Sequence, residues 1–595
     1  MIGRGSDGVT TASSEARTRE RVALACVAAL AALQLAWLLP SVPLLEPDEG
    51  RYLDIPRHMV ESGDWVTPRL NGVLYFEKPP LHYWLTAAAI EAIGLTETAV
   101  RIWNVLFALL GVVIAWGLAR SWGGREAGLG AVLVLGTAPL WIGLGRLGSL
   151  DMAVSLFITA TLGGAWLASR AADRRRERWL WWGAFASAAA AVMTKGLIGV
   201  VLPAAVTGAW VVATRQWRLL RRVPWVSGSA LFLALAAPWH LLASLRNPDF
   251  AWFYFVHEHV LRYVTPIAER QEPWWFFIAV VAAGMLPWTG LLPAALRVAP
   301  GARRWRQLAD HSDGLFFALW FAVVFLFFSA SQSKLIPYMG PALPPLAVLA
   351  GRNLASRWSD VDTSRSARLV WGAGLALLAG LGAILVVAGL GRIDRLGLGG
   401  RCTLWLVVAG AAAAGLAIAG SLAGWRARWR HAAWFAAAAA VVVNLAVGGL
   451  AVRLGEERSS KGVAEALHPR LRADEPVFAY RDFQESLAPY LGRQVGVVGA
   501  VGELAFGAAR LSPAVRVERF PTVEEFRPRW DSAQRVWLSV GRNWRRKMAA
   551  DGLGHVEVVW EGRERALVTN LPLEAPEGSG RAAAAGAGPP GAERR

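Results

Sequence analysis

Cysteine is nearly absent from this chain of 595 residues: Cys26 and Cys402 are its two copies, and both lie inside apolar runs. A disulfide framework and a thiolate metal site are therefore excluded. Lysine is scarce as well, with five copies, so the basic character is carried by arginine. No small-residue cleavage site follows the first long apolar run, which argues against a removable signal peptide. Abundant instead are apolar residues, at 55% of the chain with 31 tryptophans and a mean hydropathy of +0.36. That is more apolar sequence than a soluble domain can bury, so the composition specifies a polytopic membrane protein. The net charge of +18 does not indicate a nucleic-acid partner, because the arginines fall in short clusters between apolar runs and form no basic face.

Runs of roughly 17 to 25 apolar residues mark about thirteen spans. They lie near 22–44, 99–119, 126–145, 149–169, 179–194, 196–214, 226–245, 275–296, 314–331, 334–351, 368–390, 402–424 and 432–453. With Arg17, Arg19 and Arg21 on the cytoplasmic side, the arginine clusters at 120–125, 170–178, 215–222, 297–306, 352–368 and 426–430 all share that side, as the positive-inside rule requires. An odd number of spans then places 454–595 outside. The organisation read from this pattern is a tail at 1–20, a membrane domain at 21–455 with long external loops 45–98 and 246–274, an external domain at 456–575, and a final Gly-, Ala-, Pro- and Arg-rich segment 576–595 expected to be disordered.

Chemistry-bearing residues collect on the external side, where Lys78, Lys195 and Lys334 stand while the internal loops use arginine. Asp48, Arg51 and Tyr52 are spaced to share a helical face. Asp48 or Glu49 then either caps that helix or joins the others in a pocket wall. Asp151 lies at the outer end of the fourth span, where Ser149 is the better cap. Glu77 and Lys78 precede Pro79-Pro80, which hold the backbone extended, and lie between Tyr75-Phe76 and Tyr83-Trp84, aromatics typical of headgroup depth. His257 and His259 are two residues apart, so they do not share a helical face and do not form a zinc-protease motif. The Arg262 guanidinium suits bidentate phosphate contact.

Seven blocks occur in the order found in bacterial polyprenyl-phosphate-dependent glycosyltransferases: Asp48-Glu49-Gly-Arg51-Tyr52, Gly63-Asp-Trp65, Tyr75-Phe-Glu77-Lys78-Pro79, Arg146-x4-Asp151, Thr194-Lys195-Gly196, Glu258-His259-x2-Arg262 and Ser333-Lys334-Leu-x-Pro337-Tyr338. The chain resembles the lipid A aminoarabinose transferase branch, related to protein O-mannosyltransferases, over most of 20–455. The tail run Tyr480-Arg-x-Phe483-x-x-Ser486-Leu-x-x-Tyr490-Leu-Gly-Arg493 is similar too.

The resemblance implies an all-α polytopic membrane protein of GT-C type with a small α/β C-terminal domain. It implies an inverting transfer from a polyprenyl-phosphate-linked sugar donor to a glycolipid or protein acceptor, at the outer face of the cytoplasmic membrane. Asp48 is then the residue that deprotonates the acceptor, with Asp151 assisting. Arg51, Lys78, Lys195, Arg262 and Lys334 are the cations for the departing phosphate. Glu49, Tyr52, Glu77, His259 and Tyr338 are the expected substrate contacts. A divalent cation on Glu77 with His257 or His259 is a further expectation. Departures from the aminoarabinose branch at Gly50 and in His82-Tyr-Trp84 leave sugar and acceptor open.

A transporter or flippase for a lipid-linked sugar is the alternative reading. It calls for repeated halves and broken spans, neither of which the sequence displays. In the tail, Val477–Tyr480, Gln494–Val498, Val536–Val540 and His555–Trp560 read as strands, with helices near 483–491, 523–530 and 541–551, hence a small α/β domain.

Overall fold

The computed structural model describes residues 7–261, 271–297, 312–359, 365–391 and 403–573, with the side chains of 7–17, 19–21, His259 and Ser359 left undescribed. Arg262, Cys402 and the 576–595 segment lie outside the described residues. Two compact units divide the chain, Met1–Ser459 and Ser460–Arg595.

The first unit is helical. It begins with α1 (Asp7–Ala36), α2 (Asp48–Ser62), the hairpin β1 (Arg69–Leu70) and β2 (Val73–Leu74), and α3 (Leu81–Ile93). The long α4 (Glu97–Thr137), α5 (Pro139–Arg146), α6 (Leu150–Ser169), α7 (Arg174–Lys195), α8 (Ile198–Thr214), α9 (Arg218–Arg222) and α10 (Trp225–Arg246) follow. Among the described residues, eight helices are long and apolar enough to cross a membrane, or nine if the pair Phe276–Gly284 and Trp288–Ala295, bent by 108°, is one span.

The difference from thirteen expected spans has local causes. Expected spans 99–119 and 126–145 both appear, as the two legs of the 41-residue α4 that meet at Gly124 with φ 78°, the second followed by α5. The 179–194 span belongs to α7, whose first turn Arg174-Arg-Arg-Glu-Arg178 dilutes its hydropathy. The 334–351 span divides into a 3-10 turn, Ile336–Ala342, and the helix Leu343–Ser359.

Tryptophans fill the interior. Trp141, Trp166, Trp288, Trp320 and Trp371 are fully buried. A buried indole N–H needs an acceptor: Trp288 donates to Thr137 Oγ1 at 2.9 Å, Trp320 to the Pro341 carbonyl at 2.9 Å and Trp141 to the Ala108 carbonyl at 3.1 Å. Close helix approach is reserved for glycine: a Cβ on Gly130 of α4 would stand 2.7 Å from the Gly351 carbonyl oxygen.

The elements that carry the site are set by short-range chemistry. Asp48 and Glu49 occupy the first turn of α2, where carboxylates suit the helix dipole. Gly63 ends that helix at φ 70°, its N–H bonded to the Met59 carbonyl at 3.0 Å. Asn71-Gly72, both at positive φ, make the two-residue turn between β1 and β2. Asp54 of α2 accepts from the Asn71 N–H at 2.6 Å, so the hairpin delivers the Tyr75–Lys78 run back beside α2.

The second unit carries a five-stranded sheet of β3 (Val477–Tyr480), β4 (Gly496–Val498), β5 (Trp537–Val540), β6 (Glu557–Glu561) and β7 (Ala566–Thr569), in the order β4-β3-β5-β7-β6. The strands β3, β4 and β5 run parallel, and β7 is antiparallel to both β5 and β6. Phe478, Tyr480, Val498, Phe526, Trp530 and Leu538 form its core. The α/β character matches the sequence reading; β7 was not expected.

Candidate functional site

Two ion pairs surround Tyr52. Asp48 Oδ1 accepts from Arg51 Nη1 at 3.0 Å, and the Asp48 side chain keeps 40% of its exposure while Arg51 keeps 10%. The Arg51 guanidinium lies 5.7 Å from the Tyr52 ring centre and 5.9 Å from that of Tyr75. The second pair joins Lys195, the last residue of α7, to Asp151 in the first turn of α6. Lys195 Nζ also stands 4.8 Å from the centre of the Tyr338 ring. Burial, and after it the carboxylate of Asp48, push the Tyr52 phenol well above its ordinary range, with Asp151 adding to the rise. Tyr52 thus stays protonated and feels both acids.

A third cation sits on the run that leaves β2. Lys78 Nζ donates to the Glu77 carbonyl at 2.8 Å, lies 3.3 Å from Glu258 Oε2 and 3.9 Å from Glu77 Oε2. The Glu258 side chain is 4% exposed and its other oxygen is 3.2 Å from His257 Nδ1. The sequence reading placed Glu258 in a motif without assigning it a site role. Its signal was present, as the carboxylate closest in sequence to His257.

Positioning comes from a buried ion pair deeper in the unit. Glu49 accepts from Arg101 Nε at 2.7 Å and Nη2 at 2.5 Å, from the Leu45 N–H at 2.8 Å and from the Gly148 N–H at 2.7 Å. Arg101 donates further to the carbonyls of Leu39, Val42 and Pro43. Glu49 is fully buried, so its expected role as a substrate contact is corrected: it ties α2 to α4 and to the turn before α6. Asn104 supports the same turn through the carbonyls of Leu147 and Ser149, the latter at 2.7 Å. Ser149 caps α6 by accepting from the Asp151 N–H, which leaves the Asp151 carboxylate for Lys195.

Asp48, Arg51, Tyr52, Asp151, Lys195 and Tyr338 therefore converge, and Glu77 and Lys78 follow directly on Tyr75, against whose ring Arg51 packs. Lys334 is elsewhere engaged, its Nζ donating to the Glu272 carbonyl at 3.1 Å. Arg262 and the His259 side chain lie outside the described residues. Of the ligands expected for a divalent cation, Glu77 and His257 are among the described side chains and His259 is not. Lys78 already stands between the Glu77 and Glu258 carboxylates, and no three His, Cys, Asp or Glu side chains among the described residues are grouped to hold a metal.

Four carboxylates and three cations in one region can relay a proton and receive an anion, which is the equipment of a group-transfer enzyme. A family model described as dolichyl-phosphate-mannose-protein mannosyltransferase matches residues 77–242. Another, described as aminoarabinose transferase C-terminal domain, matches 463–570. The fold and site are those of a polytopic membrane glycosyltransferase.

The undecaprenyl phosphate-alpha-4-amino-4-deoxy-L-arabinose arabinosyl transferase of Edwardsiella ictaluri is 30% identical over 494 residues, covering 81% of this chain and 87% of that one. Its namesake from Pseudomonas aeruginosa is 33% identical over 335 residues, covering 56% of this chain and 60% of that one. The crystal structure of ArnT from Cupriavidus metallidurans bound to undecaprenyl phosphate superposes with a TM-score of 0.78 at 28% identity, over 92% of this chain and 97% of that one. The chain belongs to the aminoarabinose transferase family of membrane glycosyltransferases. It is a transferase and not the transporter weighed as the alternative.

Proposed function

We propose that the chain moves a 4-amino-4-deoxy-arabinose-type sugar from undecaprenyl phosphate to a lipid A-like glycolipid. The reaction is placed at the outer face of the cytoplasmic membrane, with the N-terminus inside and the Ser460–Arg595 unit outside. The names of the relatives support the donor, the family resemblance the acceptor, and the distribution of arginine the orientation.

In this reading Asp48 accepts the proton of the acceptor hydroxyl. The freed oxygen attacks the anomeric carbon from the face opposite the phosphate, so the configuration inverts. The bond from that carbon to the phosphate oxygen breaks, its electron pair stays on oxygen, and undecaprenyl phosphate departs. Lys78, with Arg51 and Lys195, stabilises the charge that develops there. Asp151 holds Lys195 in place. The observation that carries this is the pairing of a 40% exposed Asp48 with a largely buried Arg51: the acid is open to an acceptor while its counter-ion is fixed.

Mass spectrometry of lipid A, other envelope glycans and secreted proteins, from cells with and without the chain, tests the proposal. An aminopentose-sized mass present in lipid A only when the chain is made is the expected result. The same mass on protein, or no difference in any pool, overturns the acceptor or the activity respectively.

A further inference from the structure

Beside Tyr52 stands a residue with no role in the scheme above. His82, in the first turn of α3, is fully buried, and neither ring nitrogen has a hydrogen-bond partner among the described residues. Its ring meets that of Tyr52 edge-on at 5.6 Å. One turn further along α3, the fully buried Thr86 hydroxyl is also unpartnered. Buried polar atoms without partners are uncommon and cost about 1–3 kcal/mol each, so two on one helical face point to a ligand that satisfies them. Burial pushes the His82 imidazole down to about 4, against the pull of the nearby Asp151 carboxylate. The ring is therefore neutral at ordinary pH, with one donor and one acceptor nitrogen, a combination that matches a hydroxyl or amino substituent.

Location selects which substrate that is. His82 is four residues beyond Lys78, which is proposed to meet the donor phosphate, and it shares Tyr52 with Asp48, the proposed base for the acceptor, and with Asp151. A group between those two points meets the sugar. We infer that His82 is a specificity-determining residue that hydrogen-bonds a hydroxyl or amino group of the transferred sugar once the donor displaces the packing over it. The inference rests on the proposed donor. It also gives a chemical meaning to the departure from the aminoarabinose branch at His82-Tyr-Trp84: the wall of the sugar pocket differs there.

The test compares binding of undecaprenyl phosphate with and without its 4-amino-4-deoxy-L-arabinose to the full-length protein in detergent. His82→Leu should weaken the glycosylated lipid about 10-fold or more, the loss expected of one buried hydrogen bond, and leave the bare lipid unchanged. His82→Gln, which keeps a donor and an acceptor, should recover part of the loss. Lys78→Ala should weaken both lipids, and melting temperatures identify any variant that fails to fold. Equal weakening of both lipids by His82→Leu, with no recovery in His82→Gln, means that His82 only packs, and overturns the inference. No weakening of either overturns it as well. If the wild type binds neither lipid, it is the donor assignment that fails, and the inference with it.

Discussion

Replacing Glu258 with glutamine should tighten binding of the lipid phosphate, the opposite of what replacing Lys78 does. Lys78 is the cation proposed to meet the donor phosphate, and it lies 3.3 Å from Glu258, whose side chain is 4% exposed. A bound phosphate competes with that carboxylate for one ammonium and is repelled by it from the far side of the lysine. Two negative charges about 6–7 Å apart interact by about 2–3 kcal/mol at an effective dielectric constant near 20. Lys78 is 17% exposed, so water screens part of this, and a gain of about 10-fold in affinity is expected for Glu258→Gln. Lys78→Ala removes a charge-assisted hydrogen bond of about 1.5–3 kcal/mol, or roughly 10- to 150-fold. Titration of the purified protein with bare undecaprenyl phosphate, followed by tryptophan fluorescence, reads both. If Glu258→Gln instead weakens binding as Lys78→Ala does, Glu258 is a support that aims the lysine, and the competition argument fails.

Two further outcomes follow from the buried polar contacts. Glu49→Gln removes the charge that balances Arg101 in a dry site; breaking such a pair costs about 3–5 kcal/mol, visible as a large drop in melting temperature in detergent, and an unchanged melting temperature would refute the structural role given to Glu49. In the C-terminal unit, hydrogen bonds from Arg481 and Tyr480 hold the Asp551 carboxyl below its ordinary value. A depressed carboxyl stabilises the fold above its unfolded value of about 4 and loses that contribution as pH falls through the lower folded value. Protection of the β3 and β5 amides against hydrogen exchange in the intact protein, taken relative to their intrinsic rates, should therefore fall below about pH 4, and Asp551→Asn should flatten that dependence.

The sequence made the site legible in outline, because charges at the edges of apolar runs are conspicuous. Asp48, Arg51, Asp151, Lys195 and Lys78 stood out on that ground, and the structure groups them in ion pairs. What stayed hidden was direction. Asp48 and Glu49 are neighbours, about 100° apart on a helix, and one keeps a 40% exposed side chain beside Arg51 while the other is buried against Arg101; nothing in their shared type separates them. The usable signal was Arg101 itself, an arginine within an expected span at 99–119, which implies a buried partner. His82 was visible only as a departure from a motif, since an imidazole's lack of partners is a property of the packed structure. The expected spans at 99–119, 126–145 and 179–194 are present as the two legs of α4 and as α7, whereas the one at 334–351 is broken by the 3-10 turn Ile336–Ala342.

The most direct test of the account is sugar transfer by purified Asp48→Asn protein, with lipid binding measured in parallel. Loss of the base should lower turnover by about 10²- to 10⁴-fold with undecaprenyl phosphate affinity near that of the wild type. Turnover within a few-fold of the wild type would contradict the account, because the exposed carboxylate beside Arg51 would then not be the group that takes the acceptor's proton.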